Sequence, residues 1–300
     1  MQRQLDDIIA ISSSVILGKE TQIKLSLACI LARGHLLIED LPGMGKTTLA
    51  HTLAQVLGLA FRRVQFTSDL LPADILGVSV YDRNASSFKF HPGAIFTNVL
   101  LADEINRATP KTQSALLEVM EERQMTIDGE TRPLPNPFCV IATQNPATHI
   151  GTFPLPESQM DRFLMRIKLG YPDTRSERTL LSGGSGRDHL INISPVIDAA
   201  GLIELQQQAS RIHIADTLLD YLQAVLDFSR NSPQFEAGLS PRAGLALKQC
   251  AQAWALLEGR DYAIPEDLQA ILPSVANHRL RSANGGMADT SELLAKVSVP

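Results

Sequence analysis

A lysine and a hydroxyl at the end of a glycine-bearing turn can hold phosphate. Two adjacent carboxylates at the end of an apolar run can hold a divalent cation and polarise water. This sequence carries both arrangements. The first is Glu39-Asp40-Leu41-Pro42-Gly43-Met44-Gly45-Lys46-Thr47-Thr48. The apolar run His35-Leu36-Leu37-Ile38 precedes it, and Leu49 to Leu57 follows with helical spacing. A strand, a turn ending in Gly-Lys-Thr and a helix form the context of a phosphate-binding P-loop. Backbone N–H groups and the helix dipole favour an anion there. Lys46 is then placed to reach β/γ-phosphates, and the Thr47 hydroxyl to ligate Mg²⁺. Asp40 stands where the full pattern has a glycine, while Gly43 and Gly45 remain where the backbone must approach phosphate closely.

The second arrangement is Asp103-Glu104, which ends the run Asn98-Val99-Leu100-Leu101-Ala102. At the C-terminal end of a parallel strand, these carboxylates open into the crevice where such sheets bind ligands. Asp103 is expected to hold the Mg²⁺ hydration shell and Glu104 to polarise an attacking water. The plainer alternative is a carboxylate pair that caps the following turn. Asn145 follows the apolar run Phe138 to Thr143, where its amide could orient a water or simply make a turn. Arg162 precedes a further strand candidate, Phe163 to Leu169. Its guanidinium suits a transferring phosphoryl group, and such a finger from a neighbouring subunit is worth about 10³ to 10⁵ in rate. A surface ion pair with Asp161 or Glu157 is the alternative. Arg242, in Leu239-Ser240-Pro241-Arg242-Ala243, starts a helix, so it is either directed at an anion or simply solvated.

The elements that must position these residues are legible in outline. Helical spacing runs from Leu5 to Ile11, Val15 to Glu20 reads as a loop, and Thr21 could cap a helix through Leu31. Arg62 to Phe66 is a second strand candidate, and Leu71 to Gly77 begins an irregular segment. Hairpins are expected over Val78 to Pro92 and Gln124 to Arg132, the latter turning at Asp128-Gly129. Pro110 to Glu122 is a helix with proline at its first position. After Tyr171-Pro172-Asp173 the strand signals vanish and Ser182 to Gly186 reads as a flexible loop. Helical segments follow near Ala199–Ser210, Ala215–Ser229, Pro241–Glu258 and Pro265–Ala276. The expected architecture is α/β: a P-loop parallel-sheet domain with two inserted hairpins over 1–171, then a smaller all-helical domain over 172–300.

The 300 residues suffice for one large or two ordinary domains, and 44% hydrophobic with 20% charged residues is ordinary for a globular chain. The formal net charge of -5 disfavours a surface that coats nucleic acid, which needs clustered Lys and Arg. Cys29, Cys139 and Cys250 lie far apart with no metal or redox spacing, and three buried reduced thiols are expected. No apolar run reaches a membrane span, and the N-terminus is a poor signal peptide. A cytoplasmic location is therefore expected.

Taken together, the Pro42–Thr48 loop, Leu100–Glu104, Ala142–Pro146, Leu155–Phe163 and Ser240-Pro241-Arg242 occur in the order of the AAA+ ATPases. More narrowly, the segment from Arg63 to Gly77 resembles the signature of the MoxR family within the helix-2-insert clade. So do Leu101–Ala108 with Lys111–Glu118, and Leu293–Val297 near the end. The resemblance spans essentially the whole chain. It implies ATP and Mg²⁺ as ligands, with Lys46 and Thr47 as the Walker A pair, Asp103 and Glu104 as the Walker B pair, and Asn145 as sensor 1. It implies Arg162 as an arginine finger acting in trans and Arg242 as sensor 2 on a lid. Ile16 and Gly18 fall where the family contacts adenine, and Pro42, Gly43, Met44, Gly45 and Thr48 complete the phosphate loop. The hairpins at Val78–His91 and Gln124–Pro135 resemble those lining the central face of a hexameric ring. The activity implied is ATP hydrolysis that remodels or matures client proteins, often metal-cofactor enzymes, with partners that carry von Willebrand A domains. A nucleic-acid motor of the same clade and a nucleotide-gated scaffold with little hydrolysis are the alternatives. Gln65 or Thr67, at the end of the second strand, could couple Glu104 to ligand state.

Overall fold

The computed structural model describes residues 2–145, 151–182, 193–283 and 290–299. Its centre is a five-stranded sheet of β1 (Leu36–Glu39), β2 (Phe61–Gln65), β5 (Val99–Asp103), β8 (Cys139–Gln144) and β9 (Met165–Ile167). The strand order is β2-β5-β8-β1-β9, and every pairing is parallel. A parallel sheet is covered on both faces, so its inner strands read as unbroken apolar runs. Every residue of β5 and β8 is buried accordingly.

Successive strand side chains point to opposite faces, and the core divides along that alternation. Leu36, Ile38, Leu101 and Ile141 face one cluster, which α1 (Gln2–Val15), α2 (Glu20–Leu31) and α3 (Lys46–Val56) help to build. Leu37, Leu100, Val140 and Ala142 face the other, with α4 (Pro72–Leu76) and α5 (Pro110–Glu122). The hairpins form as β3 (Gly77–Asp82) with β4 (Ser87–Pro92), and β6 (Gln124–Ile127) with β7 (Glu130–Pro133).

The later helices are α6 (Glu157–Met160), α7 (Thr174–Leu181), α8 (Ala199–Arg211), α9 (Asp216–Asn231), α10 (Pro241–Leu257), α11 (Pro265–Ala276) and α12 (Ser291–Lys296). Side chains of α8, α10 and α11 join those of α1 and α2 in a single apolar cluster. The helical C-terminal part therefore shares a core with the N-terminal helices.

Several expectations are corrected. The first helix runs on through Val15, because Ser12 falls on the buried stripe of Leu5, Ile8 and Val15 and is small enough to fit. The third main strand stops at Asp103, where the sequence had carried it to Glu104. Glu104 turns out of the strand with φ 56°. The final strand shrinks to Met165–Ile167. Strand pairing also persists after residue 172: β10 (His213–Ile214) lies parallel to β11 (Tyr262–Ala263), too short to show a period in the sequence. Helices α4 and α7 were not legible. None of the α7 residues is buried, so it lacks an apolar stripe. Its signal is Asp173, whose carboxylate accepts from the N–H groups of Arg175 and Ser176. The expected loop over Gly183–Gly186 lies outside the described residues, as does Pro146. The cysteines are buried and free, and burial pushes the Cys139 and Cys250 thiols up to about 12. Among the described residues, no helix is long and apolar enough to cross a membrane.

Candidate active site

The turn between β1 and α3 depends on two glycines in the left-handed region, Gly43 with φ 85° and Gly45 with φ 87°. A Cβ on either would meet nothing within 4 Å, so backbone conformation and not crowding demands glycine. The same openness leaves the loop amides accessible. Gly45 is also the N-cap of the eleven-residue α3, whose free N–H groups and dipole favour an anion at this point. Asp40, in the place of the missing glycine, ties the loop down. Its carboxylate accepts from Gly170 N (2.6 Å) and Leu41 N (2.8 Å).

Lys46 is buried, and burial lowers its pKa while the Asp40 charge opposes that shift. Its Nζ donates to Asp40 O (2.6 Å), Asn145 Oδ1 (2.9 Å) and Gln144 O (3.4 Å). Asn145 Nδ2 in turn donates to Glu104 Oε1 at 3.0 Å. One amide therefore bridges the P-loop lysine and the Glu104 carboxylate. The other oxygen of that carboxylate, Oε2, accepts from Gln65 Nε2 (3.0 Å) and Arg107 Nη1 (2.8 Å). Gln65 and not Thr67 is thus the second-strand residue seen to hold Glu104.

Asp103 is buried beside Thr143, whose Oγ1 donates to Asp103 Oδ1 at 2.6 Å. The same hydroxyl accepts from the backbone N–H of Glu104 at 2.9 Å. Arg63 Nη2 and Nε donate to Asp103 Oδ2 at 2.6 and 3.0 Å. Thr143, Arg63 and Arg107 were missed as site residues. The only local signal for Thr143 is a hydroxyl at the polar end of an apolar run. Thr47 and Asp103 offer hard oxygen donors, and no group of three or more His, Cys, Asp or Glu suited to a metal exists among the described residues. Mg²⁺ takes one or two protein oxygens and completes its shell with water and phosphate, so these two residues are of the type that could hold it.

A cleft of about 560 Å³ continues from the loop. It is lined by Ile16, Pro42, Met44, Thr48, Tyr171 and Leu181, among others. Gly18 stands beside it in a structural position: its φ is 68°, and an added Cβ would collide with the Asp173 carboxylate that caps α7. A second cleft of about 610 Å³ lies between α6 and the C-terminal helices, lined in part by Asp161 and Arg279. Only the first of the two includes the open glycine turn of Gly43 and Gly45.

Arg162 and Arg242 do not join the P-loop of their own chain. Arg162 Nη1 donates to Leu117 O at 2.7 Å and meets Glu121 Oε2 at 3.0 Å. Arg242 Nη2 donates to Glu121 Oε1 at 2.8 Å. The acids expected to pair with Arg162 are engaged elsewhere, Asp161 with Arg279 (2.6 Å) and Glu157 with Arg281. The two arginines lie side by side on one carboxylate.

Comparisons with known proteins identify the family. Residues 35–165 match the model of the ATPase family associated with various cellular activities (AAA), and residues 227–297 match the AAA lid domain. The chaperone MoxR1 of Mycobacterium tuberculosis is 40% identical over 289 residues, covering 92% of this chain and 75% of that one. The protein MoxR of Paracoccus denitrificans is 32% identical, covering 91% and 87%. The chain belongs to the MoxR family of AAA+ ATPases. The Bacillus subtilis protein YeaC is 46% identical over 266 residues, 89% of this chain and 83% of its own. The crystal structure of a candidate ATPase from Cytophaga hutchinsonii superposes with a TM-score of 0.90 at 35% identity, covering 100% of this chain and 96% of that chain. The AAA+ core and its helical lid are therefore the fold, and the P-loop site is that of a MoxR-family protein.

Proposed function

We propose that this MoxR-family protein hydrolyses ATP in a ring, each site being completed by Arg162 of the neighbouring protomer. The turnover would remodel or mature client proteins. The observation that carries the reading is the suspension of the Glu104 carboxylate. Asn145 holds one of its oxygens and Gln65 and Arg107 hold the other, while the same Asn145 touches Lys46. A carboxylate fixed in this way, next to a phosphate-directed lysine, is placed to take a proton from water.

Lys46 and the α3 N-terminus would bind the phosphates, and Thr47 and Asp103 would hold Mg²⁺. The ion, when bound, neutralises charge on the phosphates as it develops. Glu104 would accept the proton of the attacking water while Asn145 orients that water. Ile16 and Met44 would flank the base in the adjoining cleft. Arg162 and Arg242, which contact Glu121 and not their own P-loop, would meet the phosphate of the next protomer. The division 1–171 and 172–300 would separate the catalytic core from the lid. The same reading includes a hexamer, a cytoplasmic location, a partner with a von Willebrand A domain and clients among metal-cofactor enzymes; it is supported by a relative that is named a chaperone.

The deciding experiment is Glu104→Gln. Turnover is expected to fall by at least about 100-fold, the scale of a lost general base, with ATP binding preserved. Normal hydrolysis by this variant removes Glu104 from the mechanism.

A further inference from the structure

We propose that Glu121 is a positioning residue for the trans arginines: it fixes Arg162 and Arg242 as one preformed, two-pronged site for a phosphoryl group. The inference rests on the reading that Arg162 serves the neighbour's nucleotide.

Glu121 lies in the last turn of α5, one turn beyond Leu117, so the two face the same side of the helix. That side grips Arg162 twice, through Leu117 O (2.7 Å) and Glu121 Oε2 (3.0 Å). Gln159, three residues before Arg162, donates to Ser114 Oγ on α5 at 3.1 Å and holds the approach. Arg242 arrives from a different part of the chain, the first turn of α10. There the Ser240 hydroxyl caps the helix by accepting from Ala243 N at 3.1 Å. Arg242 reaches the remaining carboxylate oxygen, Glu121 Oε1, at 2.8 Å. One carboxylate thus spaces two guanidiniums by its own two oxygens. Guanidiniums pair with carboxylates and with phosphates through the same kind of charge-assisted N–H bond, so two arginines gathered on one carboxylate suit a phosphoryl group as well.

Two features separate this arrangement from a structural tie. The helical part is already fastened to the core by Arg279, whose side chain is 5% exposed. Arg279 donates to Asp161 Oδ1 (2.6 Å), Phe163 O (2.8 Å) and Leu164 O (3.1 Å). The Arg242–Glu121 pair is far more open, with side chains 52% and 35% exposed, and exposed pairs add little stability. The contacts also leave donors spare. The side-chain hydrogen bond of Arg162 falls on Nη1, so its Nε and Nη2 donate no hydrogen bond among the described residues. Three guanidiniums (Arg162, Arg242, Arg279) face two carboxylates (Glu121, Asp161), so the cluster keeps a positive excess for an incoming anion.

The test is Glu121→Gln in the assembled protein, with Arg162→Ala and the double variant alongside. The expected kcat loss is roughly 10- to 100-fold, the scale of an ångström-level misplacement of a positioned group. KM, binding of a fluorescent ATP analogue and melting temperature are expected to stay at wild-type values. The double variant is expected to lose less than the two single losses multiplied together, because residues acting through one another are not additive. Mixing Glu121→Gln with Glu104→Gln protomers should restore turnover, since the intact P-loop of the first then meets the intact arginines of the second. Wild-type kcat in Glu121→Gln, additivity with Arg162→Ala, or no rescue on mixing overturns the proposal. If Arg162→Ala itself turns over normally, the reading beneath fails and the proposal falls with it. If Arg162→Ala is dead and Glu121→Gln is normal, the proposal alone falls.

Discussion

Thr143→Val is the most informative single substitution in the site. Thr143 is fully buried in β8, and valine copies its shape. The change therefore removes a hydroxyl and creates almost no cavity. Two bonds vanish: the 2.6 Å donation to Asp103 Oδ1 and the 2.9 Å acceptance from Glu104 N. A hydrogen bond to a charged group contributes about 1.5–3 kcal/mol and a neutral one about 0.5–1.5. Asp103 keeps its contacts with Arg63, which softens the loss. The expected net destabilisation is about 2 kcal/mol, or about 30-fold in the folding equilibrium, read from chemical denaturation. The chemistry should suffer more than the fold. Glu104 sits at φ 56°, a conformation that costs a non-glycine residue about 1–3 kcal/mol and persists only where its surroundings enforce it. The bond to Thr143 supplies part of that enforcement. Without it the Glu104 carboxylate loses its aim, and kcat should fall roughly 10- to 100-fold with KM little changed. Thr143→Ser keeps the hydroxyl and should recover most of both. If Thr143→Val unfolds within about 0.5 kcal/mol of wild type and turns over normally, Thr143 does not organise the two carboxylates.

Two further outcomes follow from other residues. His35 is buried, and burial lowers its pKa to about 4. Between pH 6.5 and 4 the unfolded chain therefore binds a proton that the folded chain refuses, so stability falls as pH falls. The His35 contribution over that window is about 3 kcal/mol, and His35→Gln should flatten the profile there while lowering stability at neutral pH. At Gly18 an alanine would have to adopt φ 68° and push against Asp173 Oδ2. Gly18→Ala should therefore displace α7, whose Leu180 and Leu181 line the cleft beside the P-loop. Calorimetry should register about ten-fold weaker nucleotide binding, on the scale of 1.4 kcal/mol; unchanged affinity would mean that α7 does not shape the cleft.

The sequence by itself determined the chemistry-bearing motifs and the elements beneath them. Gly43 and Gly45 before Lys46 specify a left-handed turn and a helix start. The unbroken apolar runs ending at Asp103 and near Asn145 specify buried parallel strands with polar ends. Such signals lie within about ten residues, because they rest on backbone conformation and on the periods of strand and helix. Tertiary structure alone decided which polar groups meet. The register Ala102 with Ala142 sets Thr143 beside Asp103 and Glu104, and a slip of one residue would turn it to the opposite face. Gln65 lies opposite Asp103 through a second register, and from there its side chain reaches Glu104. The largest gap was at the arginines. Arg162 and Arg242 are far apart in sequence, and no local pattern joins them to Glu121. Their meeting depends on where the start of α10 and the approach to β9 land relative to the end of α5, and the placement of distant elements leaves no periodic trace in either segment. The loop at Gly43 to Thr48 could be read from its own residues, whereas the arginine pair existed only once the chain had folded.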